Sequence, residues 1–217
     1  MKLHTCAQAP NPRRVHLFLA AKKIAVDTHE VDLRAEEHRS EAFRALNPHC
    51  TVPVLELDDG TCLSESIAIC RYLEDLFPEP VLMGSCAVER ARIADIEHWI
   101  EINGLLAVTE AFRNSVAGLQ GRAIPGARSL AQIPALAERG RMRYEWFLQD
   151  FNELLRNRRF AAGDEPSVAD ITALVTVDFA RRGIKAEIPQ AASRVQAWRQ
   201  NLVNPSGPFP ELNPDYS

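Results

Sequence analysis

With 217 residues, 46% of them hydrophobic and 25% charged, the chain has the composition of a soluble globular protein with one large or two small domains. Twenty-five basic against 29 acidic residues leave a net charge of −4, which excludes the basic footprint that nucleic acid or an anionic membrane surface requires. The opening MKLHTCAQ lacks the apolar core of a signal peptide, and no apolar run is long enough to span a bilayer, so no membrane partner is expected. The five cysteines (Cys6, Cys50, Cys62, Cys70, Cys86) are odd in number, irregularly spaced and without a C-x-x-C. They fit a reduced, cytoplasmic setting. The six histidines are scattered, with no H-E-x-x-H, and no metal site is expected.

In chain order, MKLHT reads as a short strand and residues 12–24 as a helix. AVDTHEVDL is β-rich, SEAFRALN is a short helix ending at Asn47-Pro48, and VPVLELDDGTCL is a hairpin turning at Asp59-Gly60. ESIAICRYLEDLF is a helix, with Ile69, Leu73, Leu76 and Phe77 at three- and four-residue steps. The order is β-α-β-α-β-β-α. Proline and glycine in FPEPVLMGS then mark a linker. Beyond it the strand signal disappears. Residues 87–117 form one long helical pattern, GLQGRAIPGARSL is a loop, and residues 131–157 are helical again. PSVADITALVTVDFARRG is apolar on nearly every side, as a buried central helix would be, and Ser167 with Asp170 opens it as a capping box. PQAASRVQAWRQNLV is a last amphipathic helix, and NPSGPFPELNPDYS has too many prolines for regular structure. The expected division is 1–77, a linker at 78–86, and an all-helical 87–217.

Four short features carry the chemistry. Asn11 before Pro12 predicts a helix starting at residue 12 with Asn11 as its N-cap, whose bare N–H groups attract anions and lower thiol pKa values. Arg13 and Arg14 then fall in the first turn, where a cation costs about 0.3–1 kcal/mol, so a negative group is expected near them. In TVPVLEL, Pro53 precedes a strand. Its peptide bond is trans on the base rate, since only about 5–6% of X-Pro bonds in folded proteins are cis; a cis bond would expose the Val52 main chain to an extended peptide. Glu65 and Ser66 open a further helix with N–H groups suited to a carboxylate. His38 and Arg39 lie in a polar stretch before a short helix. Singly, each feature also fits a structural or solvated-surface role.

Together, in this order, they resemble the glutathione S-transferase family, in a bacterial, theta- or nu-like form. The resemblance rests on APNPRRVHLFLAAKKI, EEHRSEAFRALNP, TVPVLELDDGTCLSESIAICRYLE and FAAGDEPSVADITA. It implies a thioredoxin-like α/β N-terminal domain, an all-α C-terminal helical bundle, a homodimer and glutathione as co-substrate. It further implies that Pro53 is cis and that Val52 pairs its main chain with the cysteinyl part of glutathione. By the same resemblance Glu65 and Ser66 hold the γ-glutamyl end, while His38, Arg39 and Thr51 reach the glycyl carboxylate. Arg14 stands where the family often has a basic residue.

One position departs from the pattern. The family activates the sulfur with Tyr, Ser or Cys, and here the corresponding residue is Ala9, without hydroxyl or thiol. Asn11 is the favoured substitute, ahead of Cys6. Lowering a thiol pKa by two units needs about 2.7 kcal/mol. A helix N-terminus supplies roughly 0.3–2 kcal/mol and a hydrogen bond to a charged acceptor roughly 1.5–3 kcal/mol. The expected function is thiolate attack on a small hydrophobic electrophile held by the helical domain, with Trp99, Phe112 and Phe209 as acceptor-side candidates. The alternatives are glutathione-dependent disulfide or peroxide reduction or reductive ether cleavage, and a binding module without turnover.

Overall fold

The computed structural model describes residues 1–209. Its contacts divide the chain into two compact units: Met1–Pro80 together with Ile124–Leu130, and Val81–Ala123 together with the chain from Ala131 onward. The segment Ile124–Leu130, a loop by sequence, thus belongs with the first unit although its neighbours on both sides belong with the second.

In the first unit the order is β1 (Lys2–Thr5), α1 (Pro10–Ala21), β2 (Asp27–Glu30), α2 (Glu41–Leu46), β3 (Val54–Glu56), β4 (Cys62–Leu63) and α3 (Ser66–Leu76). The four strands form one sheet in the order β2-β1-β3-β4. β1 and β2 are parallel, as a strand–helix–strand unit requires, while β3 is antiparallel to both β1 and β4. Alternation along the strands sends Leu3 and Leu55 to one face and His4 and Val54 to the other. Val54 packs with Val31 and Phe43, the latter from α2. Val15 and Phe18 of α1 and Ile69 and Leu73 of α3 are also fully buried, and the two helices pack on each other. Lys22, just past α1, is buried with its ammonium spent on three acceptors: the carbonyls of Phe77 and Pro80 at 2.6 and 2.7 Å, and Glu74 at 2.8 Å.

The first helix begins two residues earlier than the sequence suggests. Pro10, not Pro12, takes the first helical position, and Ala9 stands at the N-cap without a side-chain bond. Of the two prolines in APNP, the earlier one starts the helix. Asn11 is therefore inside the first turn rather than capping it. The Val52–Pro53 bond is cis, as the family resemblance implies and the base rate does not.

The second unit is all helical: α4 (Ala87–Ile100), α5 (Leu106–Ser115), α6 (Pro134–Leu154), α7 (Val168–Ile184) and α8 (Ser193–Val203). The long pattern of residues 87–117 is interrupted by a π-helical turn, Glu101–Leu105. α5 and α6 approach backbone to backbone at Gly140, where a Cβ would stand 2.6 Å from the Ala107 carbonyl oxygen. α7 is buried along most of its length, as its all-round apolar pattern requires. Its first turn is tied down by Asp170, which is completely buried. Asp170 accepts from the Ala161 N–H (2.7 Å), the Ser167 N–H (3.0 Å), the Ser167 hydroxyl (3.1 Å) and the Trp198 indole (2.9 Å). Burial pushes its carboxyl pKa up and these donors pull it down. Among the described residues, no helix is long and apolar enough to cross a membrane. The proline-rich reading of the tail past Phe209 lies outside the described residues.

Replacing Asp170 by Ala strands buried donors from three parts of the second unit. We expect a stability loss of about 3 kcal/mol or more, since each unsatisfied buried donor costs roughly 1–3 kcal/mol. Chemical denaturation checks it, and Asp170→Asn, which keeps one acceptor, should lose less.

Candidate functional site

The strand register determines which loops meet. β1 ends at Thr5, whose register partner is the last residue of β2, Glu30, and the Val31 N–H closes on the Thr5 carbonyl at 2.6 Å. β3 begins at Val54, opposite His4, and β4 ends at Leu63, opposite Leu55. Four segments therefore leave the same end of the sheet, on strands about 4.8 Å apart: residues 6–11, residues 31–39, residues 51–53 and residues 64–66. Asn11, His38, Arg39, Thr51, Val52, Pro53, Glu65 and Ser66 all lie on these segments. Trp99, Phe112 and Phe209 do not; they belong to the second unit.

Two helix starts face this end with different donor sets. At α1, Pro10 and Pro12 have no N–H, and the Arg13 N–H is bonded to the Ala9 carbonyl at 3.1 Å. Among the described residues, Asn11 alone in the first turn keeps an uncommitted main-chain N–H. Its side chain is exposed, with Oδ1 accepting from Arg14 Nη1 at 3.3 Å. That bond turns the amide so that Nδ2, the donor end, is left over. It also accounts in part for a basic residue so early in the helix: Arg14 is 1% exposed and holds Asn11. At α3, Glu65 is the N-cap and the buried Ser66 the first helical residue. With no proline there, the N–H groups of Ser66, Ile67 and Ala68 have no carbonyl four residues back within the helix.

The segment 47–53 lies between them. Asn47, 1% exposed, donates Nδ2 to both the carbonyl and the hydroxyl of Thr51, each at 2.9 Å, and accepts the His49 N–H at 3.0 Å. In the sequence Asn47-Pro48 reads only as a helix stop; an Asn beside Pro is also a turn former, and that was the signal that Asn47 shapes residues 48–51. Among the described residues, neither the N–H nor the C=O of Val52 is bonded within the chain. His38 and Arg39 form a short 3₁₀ turn, Glu37–Arg39, and both are half-buried.

Burial displaces the pKa of two nearby groups in opposite directions. Burial, and secondarily Glu30, raises the Cys6 thiol pKa above its ordinary value. His16 is lowered by burial, against an opposing pull from Glu30, and its Nε2 lies 2.7 Å from the Thr5 hydroxyl. Among the described residues no cluster of His, Cys, Asp or Glu could hold a metal.

In the second unit, Trp99 is half-buried against Phe147, with ring centroids 5.4 Å apart, and Phe112 meets Phe179 edge-on at 5.1 Å. Phe209 is 2% exposed, and its N–H bonds to the Leu202 carbonyl at 3.1 Å. That corrects its placement on an acceptor surface. A residue buried to that degree packs as core, as large aromatics usually do.

A family model described as the N-terminal domain of glutathione S-transferase matches residues 9–76. Over 204 residues, 93% of this chain and 85% of the relative, the sequence is 31% identical to glutathione S-transferase 2 of Saccharomyces cerevisiae. It is 40% identical over 94 residues, 42% of this chain and 44% of the relative, to maleylacetoacetate isomerase of Pseudomonas aeruginosa. Among solved structures, a glutathione S-transferase domain-containing protein of Marinobacter aquaeolei VT8 superposes with a TM-score of 0.88 at 36% identity, covering 95% of this chain and 98% of that one. Gtt2 of Saccharomyces cerevisiae gives 0.87 at 31% identity, covering 95% and 97%.

If Cys6 is held as a thiol, its alkylation at pH 7 should be slow. Glu30→Gln should speed it only in part, because burial, the larger cause, remains. Mass spectrometry of the Cys6 peptide against pH measures both.

Proposed function

The chain belongs to the glutathione S-transferase family, and from that premise we propose that it ionises glutathione and directs the thiolate at a small hydrophobic electrophile. One observation carries this reading: the register gathers, at one end of the sheet, two helix N-termini and, between them, Val52, whose main chain is unbonded among the described residues. A peptide with a carboxylate at each end and a thiol between needs that set of partners.

In the proposed pose the cysteinyl main chain pairs with Val52, beside Pro53. The γ-glutamyl carboxylate meets the first turn of α3 and the Ser66 hydroxyl, and Glu65 takes the amino group. The glycyl carboxylate lies toward His38, Arg39 and Thr51. The sulfur lies at the start of α1, where Asn11 offers its main-chain N–H and its Nδ2. Holding the thiolate there makes the attack a positioned, unimolecular event.

Ala9 sets the energetics. With no hydroxyl, the two units of thiol pKa shift, about 2.7 kcal/mol, must come from Asn11 and the helix end. One charge-assisted hydrogen bond at roughly 1.5–3 kcal/mol and a helix N-terminus at roughly 0.3–2 kcal/mol cover it. Pro10 and Pro12 strip the helix start of competing donors, so Asn11 carries nearly all of the hydrogen bonding.

Trp99 and Phe112 remain our candidates for meeting the electrophile. We propose a homodimer acting in the cytoplasm, a setting supported by five free cysteines. The match to an isomerase covers only 94 residues and does not carry that relative's substrate to this chain.

Glutathione resin should retain the protein, and a chlorinated nitroaromatic should be conjugated. Asn11→Ala should cut kcat about 10- to 100-fold, the equivalent of roughly 1.5–3 kcal/mol, and raise the pKa of the bound thiol read by ultraviolet absorbance. Ser66→Ala should weaken glutathione affinity about tenfold with little change in kcat. Full rate in Asn11→Ala removes the Asn11 side chain from the mechanism. Reduction of a glutathione-capped disulfide without conjugation would make the protein a reductase, and retention with neither activity a binding module.

A further inference from the structure

We propose that Ile124–Leu130 is a strap closing the glycyl end of the glutathione site, selecting peptide thiols that end in a free carboxylate, and that Arg39 is the positioning residue holding it there. The proposal rests on the proposed glutathione pose for what the strap does, but not for how it is held.

The strap is part of the first unit by its contacts, though the chain leaves the second unit to reach it and returns immediately afterward. Two contacts show where it lies. Arg39 donates Nη2 to the Gly126 carbonyl at 3.2 Å. Gly126, at φ +100°, comes so close to residues 49–51 that a Cβ would stand 2.8 Å from the His49 carbonyl oxygen and 3.9 Å from Thr51 Cγ2. An L side chain is disfavoured at that φ, and there is no space for one. The strap's main chain is thus laid directly on the segment that leads into Val52.

The surface beneath it is itself fixed. Asn47 ties Thr51 at two atoms and the His49 N–H at a third. Arg39 is held from below as well: its carbonyl accepts from Arg44 Nε at 3.0 Å, and its guanidinium lies 3.8 Å from Glu36. Arg39 and Thr51 are two of the three residues assigned to the glycyl carboxylate; Arg39 bonds to the strap, and Thr51 lies within 4 Å of where a Gly126 Cβ would stand. A guanidinium already donating to a main-chain carbonyl has donors left for a carboxylate. A bulkier group at the glycyl terminus, such as an ester or amide, would meet the strap instead.

The test uses the whole chain, in two parts. In the ligand-free protein, Gly126→Ala should speed amide hydrogen exchange about tenfold or more in residues 47–51 and 124–130, leaving the exchange of β1 and α1 unchanged. Arg39→Gln should do the same, Arg39→Lys should largely restore the slow exchange, and the double variant should add little to either single change. For selectivity, the unaltered protein should prefer glutathione over its glycyl ethyl ester by about tenfold or more in kcat/KM, a preference falling to about twofold in Gly126→Ala through the ester's KM rather than kcat. Unchanged exchange in both Gly126→Ala and Arg39→Gln overturns the strap. Faster exchange with an unchanged ester preference overturns its selective role. Failure of the unaltered protein to bind glutathione would overturn the pose, while the exchange result still decides whether Arg39 and Gly126 hold the segment.

Discussion

The pairing of β1 with its two neighbours governs everything else in the first unit. Parallel to β2 and antiparallel to β3, β1 brings the end of one neighbour and the beginning of the other to its own C-terminal end, and β4 adds a fourth segment there. A one-residue slip would turn every side chain to the opposite face and exchange the buried Val54 with its neighbours. Register therefore serves packing and site assembly together: the Val31–Phe43–Val54 cluster cannot form without also aligning residues 6–11 with residues 51–53.

The helix starts add the second ingredient, uncommitted main-chain donors, in amounts set by proline. Two prolines at α1 leave one N–H, while none at α3 leaves three. A soft anion such as a thiolate needs few strong donors, whereas a carboxylate has lone pairs for several. In the proposed pose the two starts meet different parts of one ligand, and what separates them is the presence or absence of a ring at nitrogen.

Much of this is legible in the chain because it is local. The strand–helix order, the hairpin at Asp59-Gly60 and the start of α7 at Ser167 depend on residues a few positions apart. The start of α1 is misplaced by two residues because APNP offers two prolines, each acceptable at a first helical position, and only the tertiary context chooses between them. The role of Gly126 is invisible, and that of Asn47 only half legible, for another reason. An Asn before Pro is a common turn residue, and what Asn47 holds, Thr51, is defined only once the turn is made. Gly126 owes its character to His49, far away in sequence. Phe209 reads as an acceptor-side candidate from its place in a proline-rich tail, yet its N–H bonds to the Leu202 carbonyl and the residue is buried.

Asp170 carries a consequence for biosynthesis. Its carboxylate is sheltered by groups on both sides in the sequence, and one of them, Trp198, emerges from the ribosome 28 residues later. Until then one of its four hydrogen bonds is missing, so the burial of that carboxyl group is only partly compensated. The indole of α8 completes the set, so the final seating of the head of α7 waits on α8.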